Sequence, residues 1–538
     1  MQITVILYNK KVQIFKMVML NTKKNKKPAF QRTLDGIERV GNKLPHPATL
    51  FAIFALITMA ISHIAYLAGV FVTYQGVDMA TGEITDANVQ VISLLTREGI
   101  AYLFTSAVTN FVGFAPLGTV LVAMLGVGVA EHVGLLSALI KKSMLGSSKR
   151  VITFMVIFVG LISNLASEIG YLVVIPLGAA IFYAVGRHPL AGLAAAFFGV
   201  SAGYAANMVV TINDILLSSI SQEAARLVDP TAVVSPTSNL YFMFVSTLIL
   251  ASLGYVITEK IIIPKLGAYK PEGDVADVNI SAELTADEKR GLRFSGWFLL
   301  AAVAFLLVLL IPPSAPLRNA ETGSLLTGSP FMAGLVPVIM LVFLVPAIGY
   351  GIGTKSIRKD KDVIASMSKS MQTMGAYMVL AFFAAQFIAY FNYSKLGVIL
   401  SVNGALFLQN VGFTGIPLIL TFILLSAFLN LFMGSSSAKW VIMAPIFIPM
   451  FMQLGYDPAF TQVAYRVGES VTNIITPLMS YFALIVVFAE KYVKKTGIGT
   501  IISLMLPYTI FALLVWSLLL VIWYLTGLPI GLGGGIYL

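Results

Sequence analysis

The sequence predicts an all-α integral membrane protein of about nine transmembrane helices, with two re-entrant hairpins set in inverted-topology repeats. Three observations carry this reading. Hydrophobic residues make up 58% of the 538-residue chain and charged residues only 11%, against about 25% charged in soluble domains. Apolar runs of about 20 residues, each long enough to cross ~30 Å of hydrocarbon, recur along the whole length. Two of the apolar segments repeat each other at a fixed offset.

The elements follow from loop charge. Residues 1–48 carry ten Lys/Arg, from Lys10 to Lys43, against Asp35 and Glu38, and a basic segment of this kind stays in the cytoplasm. Met17 and Met19 are alternative starts within it. The first span, Ala48 to Val72, is too long for the apolar region of a signal peptide and has no small-x-small cleavage site. Thr73 to Glu98 contains Asp78, Glu83 and Asp86 but no Lys, which suits the outside. Gly99 to Ala115 reads as an interfacial or partial helix. A second full span, Pro116 to Ile140, returns to Lys141, Lys142, Lys149 and Arg150 on the inside.

Cytoplasmic loops recur at 259–293, where Thr285-Ala-Asp-Glu288 is a capping box that opens the next helix, and around Lys355, Arg358, Lys359 and Lys361. Lys491, Lys494 and Lys495 mark the inside once more. The frame closes only if residues 151–185 and 416–454 each enter and leave on one side. The chain then divides into a basic segment (1–48), first scaffold spans (49–140) and a first hairpin with its broken helix (151–222). Further scaffold spans (239–395), a second hairpin with its broken helix (396–490) and a last span (499–526) complete it.

The two exceptional segments align at an offset of 269 (445 − 176). Pro176 pairs with Pro445, Phe182 with Phe451, Gly186 with Gly455 and Pro189 with Pro458, and Ala195, Gly199 and Ser201 pair with Ala464, Gly468 and Ser470. In the charge frame the first copy enters from the cytoplasm and the second from outside, an inverted repeat as found in many secondary transporters.

Each copy carries a polar break in apolar surroundings: Ser163-Asn164-Leu-Ala-Ser167-Glu168, and Asn430 followed by Gly434-Ser435-Ser436-Ser437-Ala-Lys439-Trp440. Backbone cannot go unpaired in lipid, so such breaks are either buried in protein or face water. Their amide groups suit carboxylates, and their carbonyls suit cations. Helix packing by small residues is the plainer alternative.

A second break follows each hairpin, at Asn207-Met-Val-Val-Thr211-Ile-Asn213-Asp214 and at Thr472-Asn473-Ile-Ile-Thr476-Pro477. Asp214, a carboxylate within an apolar stretch, reads as a sodium ligand or proton carrier, or else as a helix end near the interface. Arg466 and Glu469 sit three apart on one helix and can pair on one face. Arg466 suits an anionic substrate, and the pair equally suits locking two helices. Trp440 suits stacking on an aromatic ligand or anchoring at the interface.

Composition narrows the chemistry. The net charge of +11 is spread as orientation on a membrane requires, so it does not indicate nucleic acid. There is no cysteine for a disulfide, and His46, His63, His132 and His188 are scattered, so no metal site is expected. Walker, HExxH and GxSxG patterns are missing from the sequence. A channel would need a continuous polar path, and an intramembrane enzyme would have only Ser435 with Lys439.

Three blocks resemble the AbgT family of p-aminobenzoyl-glutamate transporters: Ile37-Glu-Arg-Val-Gly-Asn-Lys-Leu-Pro-His-Pro47, Asn110-Phe-Val-Gly-Phe-Ala-Pro-Leu-Gly118 and Gly186-Arg-His-Pro-Leu-Ala-Gly-Leu-Ala-Ala-Ala196. The run Gly434–Trp440 and the region of Arg466 add to this resemblance, which spans residue 32 to the C-terminus. It implies a homodimer in a bacterial inner membrane, with nine spans and two re-entrant hairpins per protomer. It also implies cation-driven, elevator-like movement of aromatic folate catabolites, or export of sulfonamide antimetabolites.

The family's functional positions fall here on Asp214, Asn430, Ser437, Trp440, Pro458, Arg466, Glu469 and Pro477. Together with the breaks, this gives a substrate set of Asn164, Ser436, Ser437, Trp440, Pro458, Arg466, Glu469 and Pro477. The set expected for a coupling Na+ or H+ is Asn164, Asp214, Asn430, Asn473 and Thr476, with no other cofactor. Glu469 and Glu168 stand where the family usually has Asp, which lengthens the reach of each carboxylate by a methylene.

Overall fold

The computed structural model describes residues 45, 47–77, 84–145, 151–166, 170–269, 284–325, 329–433, 435–476, 479, 481–494 and 496–538. The expectations for the basic segment 1–44 and for Ser167, Glu168, Gly434 and Pro477 lie outside these residues.

The chain is built mainly of helices, as its apolar runs require, with one departure near its start. After α1 (Pro47–Leu67), strands β1 (Phe71–Val77) and β2 (Ile84–Gln90) pair antiparallel from Phe71↔Gln90 to Val77↔Ile84. The all-α class holds for the chain, with this two-stranded hairpin as a small addition that the sequence did not announce. The hairpin occupies the polar stretch after the first span, where strand edges can meet water rather than hydrocarbon.

The partial helix expected before Ala115 is two short ones, α2 (Arg97–Thr105) and α3 (Ala107–Val112). Thr96 caps α2 by accepting a hydrogen bond from the Gly99 amide at 3.1 Å. The full span expected over 116–140 is instead a bent pair, α4 (Ala115–His132) and α5 (Leu135–Leu145), meeting at 62°. The bend falls at Gly134, whose φ of +87° suits glycine alone.

Continuing along the chain are α6 (Ile152–Ile162), α7 (Ile175–Ala184), α8 (Pro189–Phe197), α9 (Ile212–Ala225) and α10 (Leu240–Ile257). Next come α11 (Ala286–Leu310), α12 (Leu335–Thr354), α13 (Asp360–Thr373), α14 (Gly375–Tyr393) and α15 (Leu396–Asn410). The remainder are α16 (Gly415–Asn430), α17 (Ser436–Gln453), α18 (Pro458–Val471), α19 (Phe482–Glu490) and α20 (Ile498–Thr526).

The capping box forms at the start of α11: the Thr285 hydroxyl accepts from the Glu288 amide, and the Glu288 carboxylate accepts from the Thr285 amide at 2.7 Å. Among the described residues, six single helices are long and apolar enough to cross a membrane, and the bent α4–α5 pair passes the same test as a seventh. Helices α6, α15 and α16 are apolar but too short to cross ~30 Å alone.

The repeat seen in the sequence is realised in matching local geometry. Gly186 and Gly455 both turn the chain with positive φ, at +78° and +85°. One residue before each proline that opens α8 and α18, His188 and Asp457 accept from the amides of Leu190 (3.3 Å) and Ala459 (2.7 Å). Gly199 packs so closely that a Cβ would lie 2.4 Å from the Ile157 carbonyl, and at Gly468 it would lie 2.2 Å from that of Ile423. The segments before the turns match at a shorter offset of 266, pairing Ile157 with Ile423, Gly160 with Ser426 and Asn164 with Asn430. Twelve residue steps separate Asn164 from Pro176, and fifteen separate Asn430 from Pro445, so the second copy carries three extra residues at its break.

Candidate functional site

The breaks bring charge into the interior. Helix α18 is buried along its whole length, Arg466 and Glu469 included. A buried charge is tolerated only when it is paired and hydrogen-bonded, and these two find separate partners. The Arg466 guanidinium meets Asp214 on α9 at 2.6 Å. It also donates to the Ala205 carbonyl at 2.7 Å and to Asn239 Oδ1 at 3.3 Å. Glu469 faces the Lys439 ammonium of α17 at 3.4 Å.

The expected pairing of Arg466 with Glu469 along one helix face therefore does not form. On a fully enclosed helix, each side chain reaches across to an opposite charge on a neighbouring element. Asp214, Lys439, Arg466 and Glu469 form two crossed ion pairs, which tie α9 and α17 to α18.

Asp214 is held at the start of α9 by a capping box. Its Oδ2 accepts from the Thr211 amide, the Thr211 hydroxyl and Asn207 Nδ2, each at 2.7 Å. Asp214 is thus a helix-initiating residue and one half of a buried ion pair.

At the tip of the second hairpin, Ser436 and Ser470 donate to Glu469 Oε1 at 2.9 and 3.2 Å. Asn430 Nδ2 donates to Thr472 Oγ1 and Asn473 Oδ1 at 2.9 and 2.8 Å, while its Oδ1 accepts from Lys439 Nζ. Asn473 donates on to the Ser201 carbonyl at 3.2 Å, and Thr476 Oγ1 to the Thr472 carbonyl at 2.7 Å. Asn430, Asn473 and Thr476 are thereby joined in one network that touches the first half at Ser201.

Asn164, expected in both sets, is buried at the first hairpin. Its Nδ2 donates to the carbonyls of Leu161 (3.0 Å) and Gly203 (3.4 Å), so it is not joined to the Lys439 network by a direct bond.

Trp440 is enclosed by protein. It is fully buried, stacks on Tyr465 at 4.3 Å between ring centroids, and donates its indole N–H to Ser221 at 2.9 Å. Ser221 passes the chain of bonds to Gln462 (2.6 Å), and Gln462 to Asn239 (2.6 Å). Pro458 occupies the first position of α18, where its missing amide hydrogen costs nothing. Ser435 and Lys439 serve different partners, because the Ser435 hydroxyl accepts from the Ala438 amide and caps α17.

Asn239, Gln462 and Tyr465 were not legible as site residues, and Lys439 was read only as part of the second break and as a partner for Ser435. A lone polar residue in an apolar run has no partner visible in sequence. Lys439 did carry a signal, as a charge within a membrane-length apolar segment.

A cavity of about 850 Å³ opens beside this cluster, bounded by α4, α9, α13 and the start of α17. Met124, Glu131, His132, Lys369 and Tyr377 line it, and Ser437 brings the tip of the second hairpin to its wall. Cavities of this size accept a drug-sized molecule, with a few polar groups to orient it.

Comparison with known proteins places this geometry. The profile of the AbgT putative transporter family matches residues 32–538. The chain is 40% identical over 497 residues to the p-aminobenzoyl-glutamate transport protein of Escherichia coli (strain K12), covering 92% of this chain and 95% of that protein. It is similar to the YdaH transporter of Alcanivorax borkumensis, described as having an unusual topology (TM-score 0.84, 43% identity, 90% of this chain and all of that one). It is also similar to MtrF of Neisseria gonorrhoeae, described within a class of antimetabolite efflux pumps (TM-score 0.87, 47% identity, 93% of this chain and all of that one). With its profile matched from residue 32 to the last, this chain belongs to the AbgT putative transporter family.

Proposed function

We propose that the chain is a secondary active transporter of p-aminobenzoyl-glutamate-type aromatic carboxylates, driven by a cation gradient. The observation that carries this reading is Arg466. It is buried and held by Asp214, and its Nε has no hydrogen-bond partner among the described residues. A carboxylated ligand entering from the cavity at Ser437 would supply that acceptor.

Asp214 gives the coupling a chemical form. A proton placed on Asp214 removes the charge that holds the guanidinium, so Arg466 can turn to a substrate carboxylate. Loss of that proton restores the ion pair and expels the substrate. This sequence carries an anion and a proton in the same direction; a second reading on the same residues has the two bind in turn, each displacing the other. In that reading the chain exports sulfonamide antimetabolites against an inward proton flow, the class of activity named for MtrF.

The same proposal sets the two hairpins as inverted, re-entrant repeats in a homodimer of a bacterial inner membrane, with the N-terminus cytoplasmic. Loop charge supports that orientation, and the matched turns at Gly186 and Gly455 support the repeat. Alternating exposure would come from movement of the hairpin-bearing segments against the long spans.

Counterflow of labelled p-aminobenzoyl-glutamate in proteoliposomes, with sodium and proton gradients imposed separately, tests the reading. Uptake that depends on one gradient, and loses that dependence in Asp214→Asn, is the expected result. No uptake under any gradient would remove the substrate assignment. Sulfonamide-driven proton movement in the same vesicles would favour export.

A further inference from the structure

One face of α9 runs between two cavities. Ile212 and Leu216 line the cavity that Ser437 reaches. Further along the helix, Ser219 hydrogen-bonds Thr119 of α4 at 3.1 Å. Glu223 then lines a second cavity, of about 390 Å³. Successive steps of about one helical turn keep these four side chains on one face, over about 16 Å of rise. Loop charge sets the second cavity on the outer side, because Tyr102 in its lining follows directly on the Lys-free segment Thr73 to Glu98.

This second cavity has the parts of a binding site. Its α3 and α14 wall is fixed where Asn110 Nδ2 donates to Gln386 Oε1 at 3.0 Å and Gln386 Nε2 donates to the Ala107 carbonyl at 2.9 Å. Tyr102 and Tyr393, both in the lining, stack at 4.1 Å between ring centroids. Lys395, between α14 and α15, has a left-handed backbone with φ of +63°, uncommon for a residue with a long side chain. Its ammonium lines the cavity with no ion-pair or hydrogen-bond partner among the described residues. Glu223 turns to Arg226 at 3.7 Å and does not neutralise it. A free ammonium and a carboxylate in one cavity with an aromatic pair match a planar ligand that has an acid at one end and a hydrogen-bond donor at the other.

We propose that this outer cavity is a separate binding site for an amino-substituted aromatic carboxylate. Lys395 holds the acid, Tyr102 and Tyr393 hold the ring, and Glu223 accepts from the amino group. The contact of Thr119 with Ser219 lies between this site and the cavity at Ser437, so in this conformation the site fills from outside. The identity of the ligand rests on the transporter reading, but the site is tested without transport.

The chain has no cysteine, so one introduced thiol reports on the cavity alone. Asn392 and Thr109 line it and are exposed. Asn392→Cys and Thr109→Cys, each in the full chain, should both react with a membrane-impermeant maleimide in right-side-out vesicles held without any gradient. Added p-aminobenzoyl-glutamate should protect them, slowing the reaction about tenfold at about ten times its half-protecting concentration. Lys395→Gly and Lys395→Asn suit the left-handed backbone while removing the ammonium. Either should raise the half-protecting concentration about tenfold or more, the worth of one contact to a charged group. Lys395→Arg, which keeps the charge, should retain protection.

Thiols that react only from the cytoplasmic face would overturn the proposal, as would labelling that the ligand does not slow. Protection unchanged in Lys395→Gly and Lys395→Asn would overturn it too, because the ligand would then act from elsewhere. Should one reporter fail to fold, the other decides. Protection without counterflow would remove the transport reading and keep the site, and counterflow without protection would do the reverse.

Discussion

The crossed ion pairs make a quantitative prediction about Arg466 and Asp214. Removing one partner of a buried pair costs about 3–5 kcal/mol, because the other charge is left unpaired in a poorly polarisable interior. The structure says which end of that range each partner takes. In Arg466→Met, Asp214 keeps three donors at 2.7 Å, from the Thr211 amide, the Thr211 hydroxyl and Asn207, and Asn239 keeps Gln462. That variant should lose about 3 kcal/mol.

In Asp214→Asn, the three donors hold the amide oxygen in place, which turns the introduced NH2 group toward a guanidinium 2.6 Å from the original oxygen. Arg466 is then left with only the Ala205 carbonyl and Asn239, with Nε already unpartnered. The cost should approach about 5 kcal/mol. The double variant should recover part of the sum, with a coupling of about 1–3 kcal/mol, as contacting residues do.

Denaturant unfolding of the purified protein in one detergent, followed by tryptophan fluorescence, gives all three differences. Trp440 of α17 stacks on α18 through Tyr465, so the probe packs directly against the affected element. A larger loss for Arg466→Met than for Asp214→Asn would refute the assignment of donors around Asp214. Additive losses would refute the pair itself.

Two further outcomes follow from the repeated frame. Gly199→Ala and Gly468→Ala should each abolish folded protein, since their Cβ atoms would enter the Ile157 and Ile423 carbonyls, whereas Gly186→Ala, in open space at positive φ, should cost only about 1 kcal/mol; size-exclusion profiles after expression would separate the two classes. The C-terminal tail clamps the turn after α17, because the Ile536 carbonyl accepts from the Asp457 amide at 2.9 Å, Gly535 donates to Asp457 at 3.1 Å, and Leu538 donates to the Gly455 carbonyl at 3.1 Å. Deleting residues 535–538 should therefore lower stability by about 2–4 kcal/mol and speed proteolysis near Gly455, while leaving cleavage near Gly186 unchanged.

What the sequence could disclose depended on periodicity and punctuation. Long apolar runs announced the spans, and Gly–Pro spacing announced both hairpin turns, because each signal is local. The bend at Gly134 escaped notice, since a single glycine in an apolar run is ordinary until its φ is known. The β-hairpin escaped for a similar reason, because strand pairing is settled between segments. The rule for residues three apart pointed Arg466 at Glu469, yet that rule describes helices whose other faces are wet. On a helix enclosed on every side, four charges from three elements compete, and the closest cross-helix geometry wins.

Alignment at one offset also concealed the equivalence of Asn164 with Asn430. Asn164 and Asn430 match at 266, while the turns match at 269, so the equivalence appears only when the common contact with the broken helix is measured. Once it is made, the asymmetry becomes chemical rather than architectural. Duplication supplies two similar breaks, and substitution then fills one with Lys439 and Glu469, whereas the other has Gly170, Val200 and an Asn164 oxygen with no hydrogen-bond donor among the described residues.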